Sequence, residues 1–163
     1  MISIPASWRN EARLVPWRAL RRDLEVNDDS FGRLAVVLYR ASQGLGPPGK
    51  VASVVLRVVC GLDLPPAVTA GPGLRLPHGA RGTVVHSGAV LASGVTVLHG
   101  VTIGVVAEGQ AAPRLEEGAY VGAGACVLGA ITIGSHGKVG ANSVVLKDVP
   151  PNSTAVGVPA RVL

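Results

Sequence analysis

At 163 residues, with 48% hydrophobic residues, 22 glycines and only 3% aromatics, the chain has the length of one domain and must pack its core from small and aliphatic side chains. The net charge of +5 is concentrated before Gly61, and no basic run is interleaved with aromatics, so nucleic acid is a poor candidate for a partner. Cys60 and Cys126 lack metal-ligand spacing, which argues against a zinc site or a disulfide framework, and the start "MISIPASWRNEAR" lacks the apolar core of a secretory signal.

Residues 1–60 read as a helical segment. Trp17, Leu20 and Leu24 have helical spacing within 17–26, and "NDDS" stops that helix. Ser30 is the expected cap of a second helix running to about Ser42, which "GLGPPG" breaks. Val51 to Val59 predicts a third, strongly apolar helix. It contains Arg57 and is about half the length a membrane span requires, so a cytoplasmic protein is expected. Helix formers give way to Gly, Pro and Val at Gly61–Pro66, which places a domain boundary there and a second unit at 61–163.

That second unit has a period of six. Val85, Leu91, Val97, Ile103, Gly109, Leu115, Val121, Val127, Ile133, Val139 and Val145 are aliphatic at ten of eleven steps, although Val, Leu and Ile fill fewer than a third of positions 85–145. A smaller set stands two places earlier, at Ala89, Val95, Val101, Ala107, Ala119, Ala125, Ile131, Gly137 and Ser143. Six matches neither helical nor simple strand periodicity; it predicts a mainly β chain folded as a hexapeptide parallel β-helix. The repeat is expected to begin at Leu62, with Leu62, Val68 and Leu74 as first anchors. Leu74 to Val85 is one residue short of two hexads, so the regular coil breaks near His78. "VVAEGQAAP" replaces a hexad around Gly109 and returns in register. Irregular loops on a rigid repeat are where function concentrates.

The hexads, with the tail "GANSVVLKDVPPNSTAVGVPARVL", resemble the hexapeptide-repeat acyltransferases, and within them the serine acetyltransferases, over roughly residues 17–163. The "L-R-x-D-L" leader before an "LYR" helix resembles that of short members of the group. The resemblance implies a left-handed β-helix, acetyl-CoA as co-substrate and a homotrimer with sites at subunit clefts.

"GLRLPHGARGTVV" matches the family segment that carries the general base, so the resemblance implies this role for His78. A hydroxyl is almost un-ionised at neutral pH, and an imidazole is suited to take its proton and pass it to the departing thiolate. Asp63, 15 residues earlier, matches the aspartate that partners the base. His99 in "LHGVTIG" occupies a position near the family's acceptor pocket. Ala111 and Ala112 stand where serine acetyltransferases carry an arginine and a second histidine before a Pro-basic-aliphatic triplet, here Pro113–Leu115. That difference weighs against free serine as acceptor, and Arg81 or Arg114 could replace the lost cation. Ala123 and Ala141 match positions that contact the pantetheine arm. Lys147 and the tail residues Gly157, Pro159, Ala160 and Arg161 would border the adenine and phosphates. His86 and His136 read as exposed turn residues, and no histidine pair has metal spacing. Cys126 as an acyl carrier is the alternative mechanism, disfavoured because no base adjoins it in sequence.

The expected function is therefore acetyl transfer from acetyl-CoA to the hydroxyl of a small acceptor, serine or else a sugar or other metabolite, in a ternary complex. A non-catalytic hexapeptide-repeat scaffold is the alternative from a different class, and N-acylation of an amino sugar is the weaker option among enzymes. Neither nucleic acid nor a membrane is expected as a partner.

Overall fold

A computed structural model describes residues 16–163. Residues 1–15, the start of the expected helical segment, lie outside the described residues. Three helices, α1 (Pro16–Val26), α2 (Ser30–Gly44) and α3 (Pro47–Val59), precede a run of short strands. The cap of α2 is Asp29 and not Ser30: its carboxylate accepts from the Gly32 amide at 2.7 Å, as a side chain one residue before the first turn can. "GLGPPG" is not simply a break, since α3 starts at Pro47. Proline fits the first helical positions, where an amide has no intrahelical acceptor to lose.

The strands form three parallel sheets that are the walls of a β-helix. The first wall stacks Val84–Val85, Thr102–Gly104, Cys126–Leu128 and Val144–Val145. The second stacks Thr69–Ala70, Val90–Leu91, Arg114–Leu115 and Thr132–Ile133. The third stacks Thr96–Val97, Tyr120–Val121, Lys138–Val139 and Thr154–Gly157, with Ala160–Val162 returning antiparallel. Each wall is only two to four residues wide, and in most of its strands the second residue points inward. This is why the sequence repeats in sixes rather than alternating over long strands.

Register explains both irregularities. Val85 pairs with Ile103 and Val121 with Val139, three hexads apart. Leu91 pairs with Leu115, Val97 with Val121 and Ile103 with Val127, one hexad more. The Gly109 hexad is therefore an addition expelled as a loop, not a wall replaced. The frame survives because the loop adds six residues. Deleting 106–111 should restore a regular coil, and we expect the melting temperature of that variant to stay within about 3 °C of the parent, because surface-loop length contributes little to stability. A loss of ten degrees or more in a thermal melt would mean that the loop holds the fold.

The first coil corrects the expected frame. Asp63 pairs with Val84, Ala70 with Leu91 and Arg75 with Thr96, each three residues more than three hexads. The anchors are thus Leu64, Ala70 and Leu76, while Leu62, Val68 and Leu74 occupy the smaller inner row. All six are at most 4% exposed. Both rows carry apolar residues in this coil and alanine holds one anchor, so side-chain size points to the wrong row. The true irregularity is three extra residues between Leu76 and Val85, and His78 lies within them.

The helices share one core with this first coil. Gly32, Ala35, Val36, Tyr39 and Arg40 form the buried stripe of α2 at helical spacing. Tyr39 donates its hydroxyl to the Val68 carbonyl at 2.7 Å, and burial pushes its ionisation well above the usual tyrosine value. Asp23 and Arg40, 0% and 2% exposed, pair at 2.7 Å beneath the coil. Asp23 accepts from the Gly73 and Leu74 amides, while Arg40 donates to the Ala70 and Gly71 carbonyls. Asn27 donates to the Leu74 carbonyl and accepts from the Leu76 amide. These bonds clip α1 and α2 onto the backbone of 70–76, the segment that leads into the His78 turn.

Candidate functional site

The edge where the third wall turns into the first gathers several of the residues singled out above. Its turns place a left-handed residue at Gly82, Gly100, Gly124 and Asn142, with φ between 56° and 75°. The amide of each donates to the coil below: Gly100 to the Arg81 carbonyl, Gly124 to the His99 carbonyl and Asn142 to the Ala123 carbonyl, at 2.8–2.9 Å. The residue before each left-handed position therefore stacks in one column: Arg81, His99, Ala123, Ala141. Only glycine or asparagine adopts such a turn at little cost, which keeps the column in line.

His78 stands beside the lower end of that column. It is exposed, has φ 57° and ψ 25°, and its ring lies 6.2 Å from that of His99, inclined at 68°. The Arg81 guanidinium rests 5.9 Å from the centre of the Phe31 ring. Beneath the same turn, burial pushes the Cys60 thiol up from its usual range, while the nearby Arg81 pulls the other way by less. The edge is thus cationic or imidazole-bearing at one end, and lined by small side chains at the other. The tail hairpin adjoins the small end: the Gly157 amide donates to Ser143 Oγ at 3.1 Å, next to Ala141. Gly157, Pro159, Ala160 and Arg161 all lie in this hairpin or its returning strand.

Other residues lie elsewhere. Asp63 opens the first coil, and its carboxylate is 3.0 Å from the Arg57 guanidinium; among the described residues no hydrogen bond joins it to His78. Arg114 is on the second wall. With His86, Gln110, Ala111, Ala112 and Thr132 it lines a separate cavity of about 260 Å³ at the foot of the 105–112 loop. Lys147 is in the turn between first and second walls, and His136 is at the remaining edge. Cys126 faces outward on the first wall between Thr102 and Val144. Among the described residues no three His, Cys, Asp or Glu side chains gather as a metal site, and no helix is long and apolar enough to cross a membrane.

Three neighbours of the site did not emerge from the sequence: Asp29, which accepts from the His78 amide; Arg57, which holds Asp63; and Ser143, which holds the tail. "NDDS" offers several equivalent caps, and nothing local separates Asp29 from its neighbours.

A hexapeptide solenoid with an imidazole pair at one end of a small-residue edge belongs to the class of hexapeptide-repeat acyltransferases. No protein-family model matches the chain. The serine acetyltransferase of Escherichia coli is 40% identical over 136 residues, covering 79% of this chain and 50% of the relative. The crystal structure of Neisseria gonorrhoeae serine acetyltransferase superposes with a TM-score of 0.79 at 30% identity, covering 96% of this chain and 69% of that one. That of the Brucella abortus enzyme in complex with coenzyme A gives 0.71 at 32% identity, covering 98% and 68%. The chain belongs to the serine acetyltransferase family. It spans about half the length of the curated relatives it matches.

Proposed function

We propose that this protein is a cytoplasmic, acetyl-CoA-dependent O-acetyltransferase whose β-helix is left-handed and whose site lies along the His78–Ala141 edge. A helical segment (1–60) would support an acyltransferase unit (61–163). His78 takes the proton from the acceptor hydroxyl. The oxygen attacks the thioester carbonyl, the carbon–sulfur bond breaks, and the imidazolium returns the proton to the coenzyme A thiolate. His99 and Arg81 border the acceptor. The pantetheine arm lies on Ala123 and Ala141, and Gly157, Pro159, Ala160, Arg161 and Lys147 flank the nucleotide. Asp63, paired with Arg57 and not hydrogen-bonded to His78, would have to turn its carboxylate toward the imidazole to stabilise the imidazolium as it forms. The observation that carries this reading is the shared edge: a histidine pair at one end and, further along the column, half-buried Ala123 and exposed Ala141, against which an extended chain can lie.

We read the assembly as a homotrimer. The outward residues of the first wall, Val84, Thr102, Cys126 and Val144, carry no charge, which suits burial against another copy. In that assembly Arg114 and Lys147 of one copy would approach the histidine edge of the next. Serine is the first acceptor to try. The 105–112 loop, whose only polar side chains are Glu108 and Gln110, offers no cation for a carboxylate, which favours a sugar or another hydroxyl metabolite as the second.

Calorimetric titration with coenzyme A tests the reading. Saturable binding is expected, and Ala141→Phe, a change on an exposed turn, should weaken it at least tenfold without moving the melting temperature. No binding by the unmutated chain would leave the non-catalytic scaffold as the better account.

A further inference from the structure

The turn that presents His78 has a backbone its own residues do not favour. His78, Gly79 and Ala80 are all left-handed, with φ of 57°, 69° and 48°, and two of the three carry a β-carbon, which that region disfavours. The end of α2 holds the turn there. Asp29 Oδ1 accepts from the Gly32 amide at 2.7 Å and caps the helix, while Oδ2 accepts from the His78 amide at 3.3 Å. A β-carbon on Gly79 would lie 3.3 Å from the Phe31 β-carbon, and one on Gly32 would lie 2.8 Å from the Leu76 carbonyl oxygen, so helix and turn meet at backbone contact. Asn27, on the other side, accepts from the Leu76 amide at 2.8 Å.

We propose that Asp29 is a positioning residue for His78. One carboxylate serves two amides: it starts the helix with one oxygen and fixes the backbone of the base with the other. With φ and ψ of residue 78 held, only the two side-chain torsions remain to aim the imidazole, and a base must stand within hydrogen-bond reach of the proton it takes. The helical segment then sets the geometry of the reaction as well as covering one end of the core. This inference rests on the reading of His78 as the base.

Asp29→Asn and Asp29→Ser test it. Both residues are good caps, but asparagine offers a single acceptor oxygen beside a donor, and serine reaches only the helix amide. Both variants should melt within about 3 °C of the parent. By NMR, the His78 amide should exchange about tenfold faster. For coenzyme A release from acetyl-CoA with L-serine, kcat should fall about tenfold with the KM for acetyl-CoA unchanged, the pattern of a displaced base. Parental exchange at His78, or a parental kcat in both variants, would overturn the proposal, as would a fall in kcat that only follows the folded fraction. His78→Ala separates the two levels. If it is inactive while both Asp29 variants keep full kcat, only the positioning role fails. If it is fully active, or the unmutated protein releases coenzyme A with neither L-serine nor any of a panel of sugar hydroxyls, the reading of the base fails and this inference with it.

Discussion

His78→Ala is expected to lower the proposed acetyl transfer by about a thousandfold while leaving the fold intact. Positioned proton transfer contributes roughly 10²–10⁴-fold to reactions of this kind, and the neighbouring imidazole, His99, has its ring centre 6.2 Å away, too far to take over the position of the lost ring. The side chain is exposed, so its removal opens no cavity. Alanine at φ 57° retains the disfavour of a left-handed backbone, on the order of 1–2 kcal/mol, which is already present with histidine. His78→Gly removes the same ring and also relieves that conformation. The two variants should therefore be equally inactive in a coenzyme A release assay, with the glycine variant at least as stable in urea. If both retain activity near that of the parent, His78 is an ordinary turn histidine.

Asp23→Ala has the largest expected effect on stability. It leaves the Arg40 guanidinium, 2% exposed, without a carboxylate, and removes the acceptor for the Gly73 and Leu74 amides. Breaking a buried pair from one side costs about 3–5 kcal/mol, a large part of the ~5–15 kcal/mol that holds a typical domain. The melting temperature should drop by roughly 10 °C or more. Replacing both partners, as Asp23→Leu with Arg40→Met, should recover part of that loss because no charge is then buried unpaired. Calorimetry on the three proteins checks this. A single variant that melts like the parent would mean water reaches Arg40, and the clip between α1, α2 and the first coil is not what secures them.

The walls could be read from sequence because a solenoid repeats one local solution: every inward position in a coil faces the same packing problem, so Val, Leu or Ile returns every sixth residue. The first coil escaped that reading. There the helices replace a neighbouring coil as packing partner, so both rows are apolar, and Ala70 is small where an anchor is expected. The three-residue insertion before Val85 consequently looked like a deletion of one. The flanking segment singles out His78 as a candidate, and the column of Arg81, His99, Ala123 and Ala141 follows from left-handed turns that Gly82, Gly100, Gly124 and Asn142 mark in the sequence. The contacts of Asp29 with His78 and of Asn27 with Leu76 span 49 residues each, and no local pattern encodes them. The ion pair of Asp63 with Arg57 was missed for another reason. In the sequence Arg57 is a charge interrupting an apolar helix, but it lies in the last turn of α3, where its side chain reaches the start of the first coil.

The most direct test of the account is the rate of coenzyme A release from acetyl-CoA with and without L-serine, followed by a panel of sugar hydroxyls. The edge predicts release that depends on a hydroxyl acceptor, saturates with acetyl-CoA and disappears in His78→Ala. Release at the same rate with no acceptor present, or unchanged by loss of His78, would contradict it.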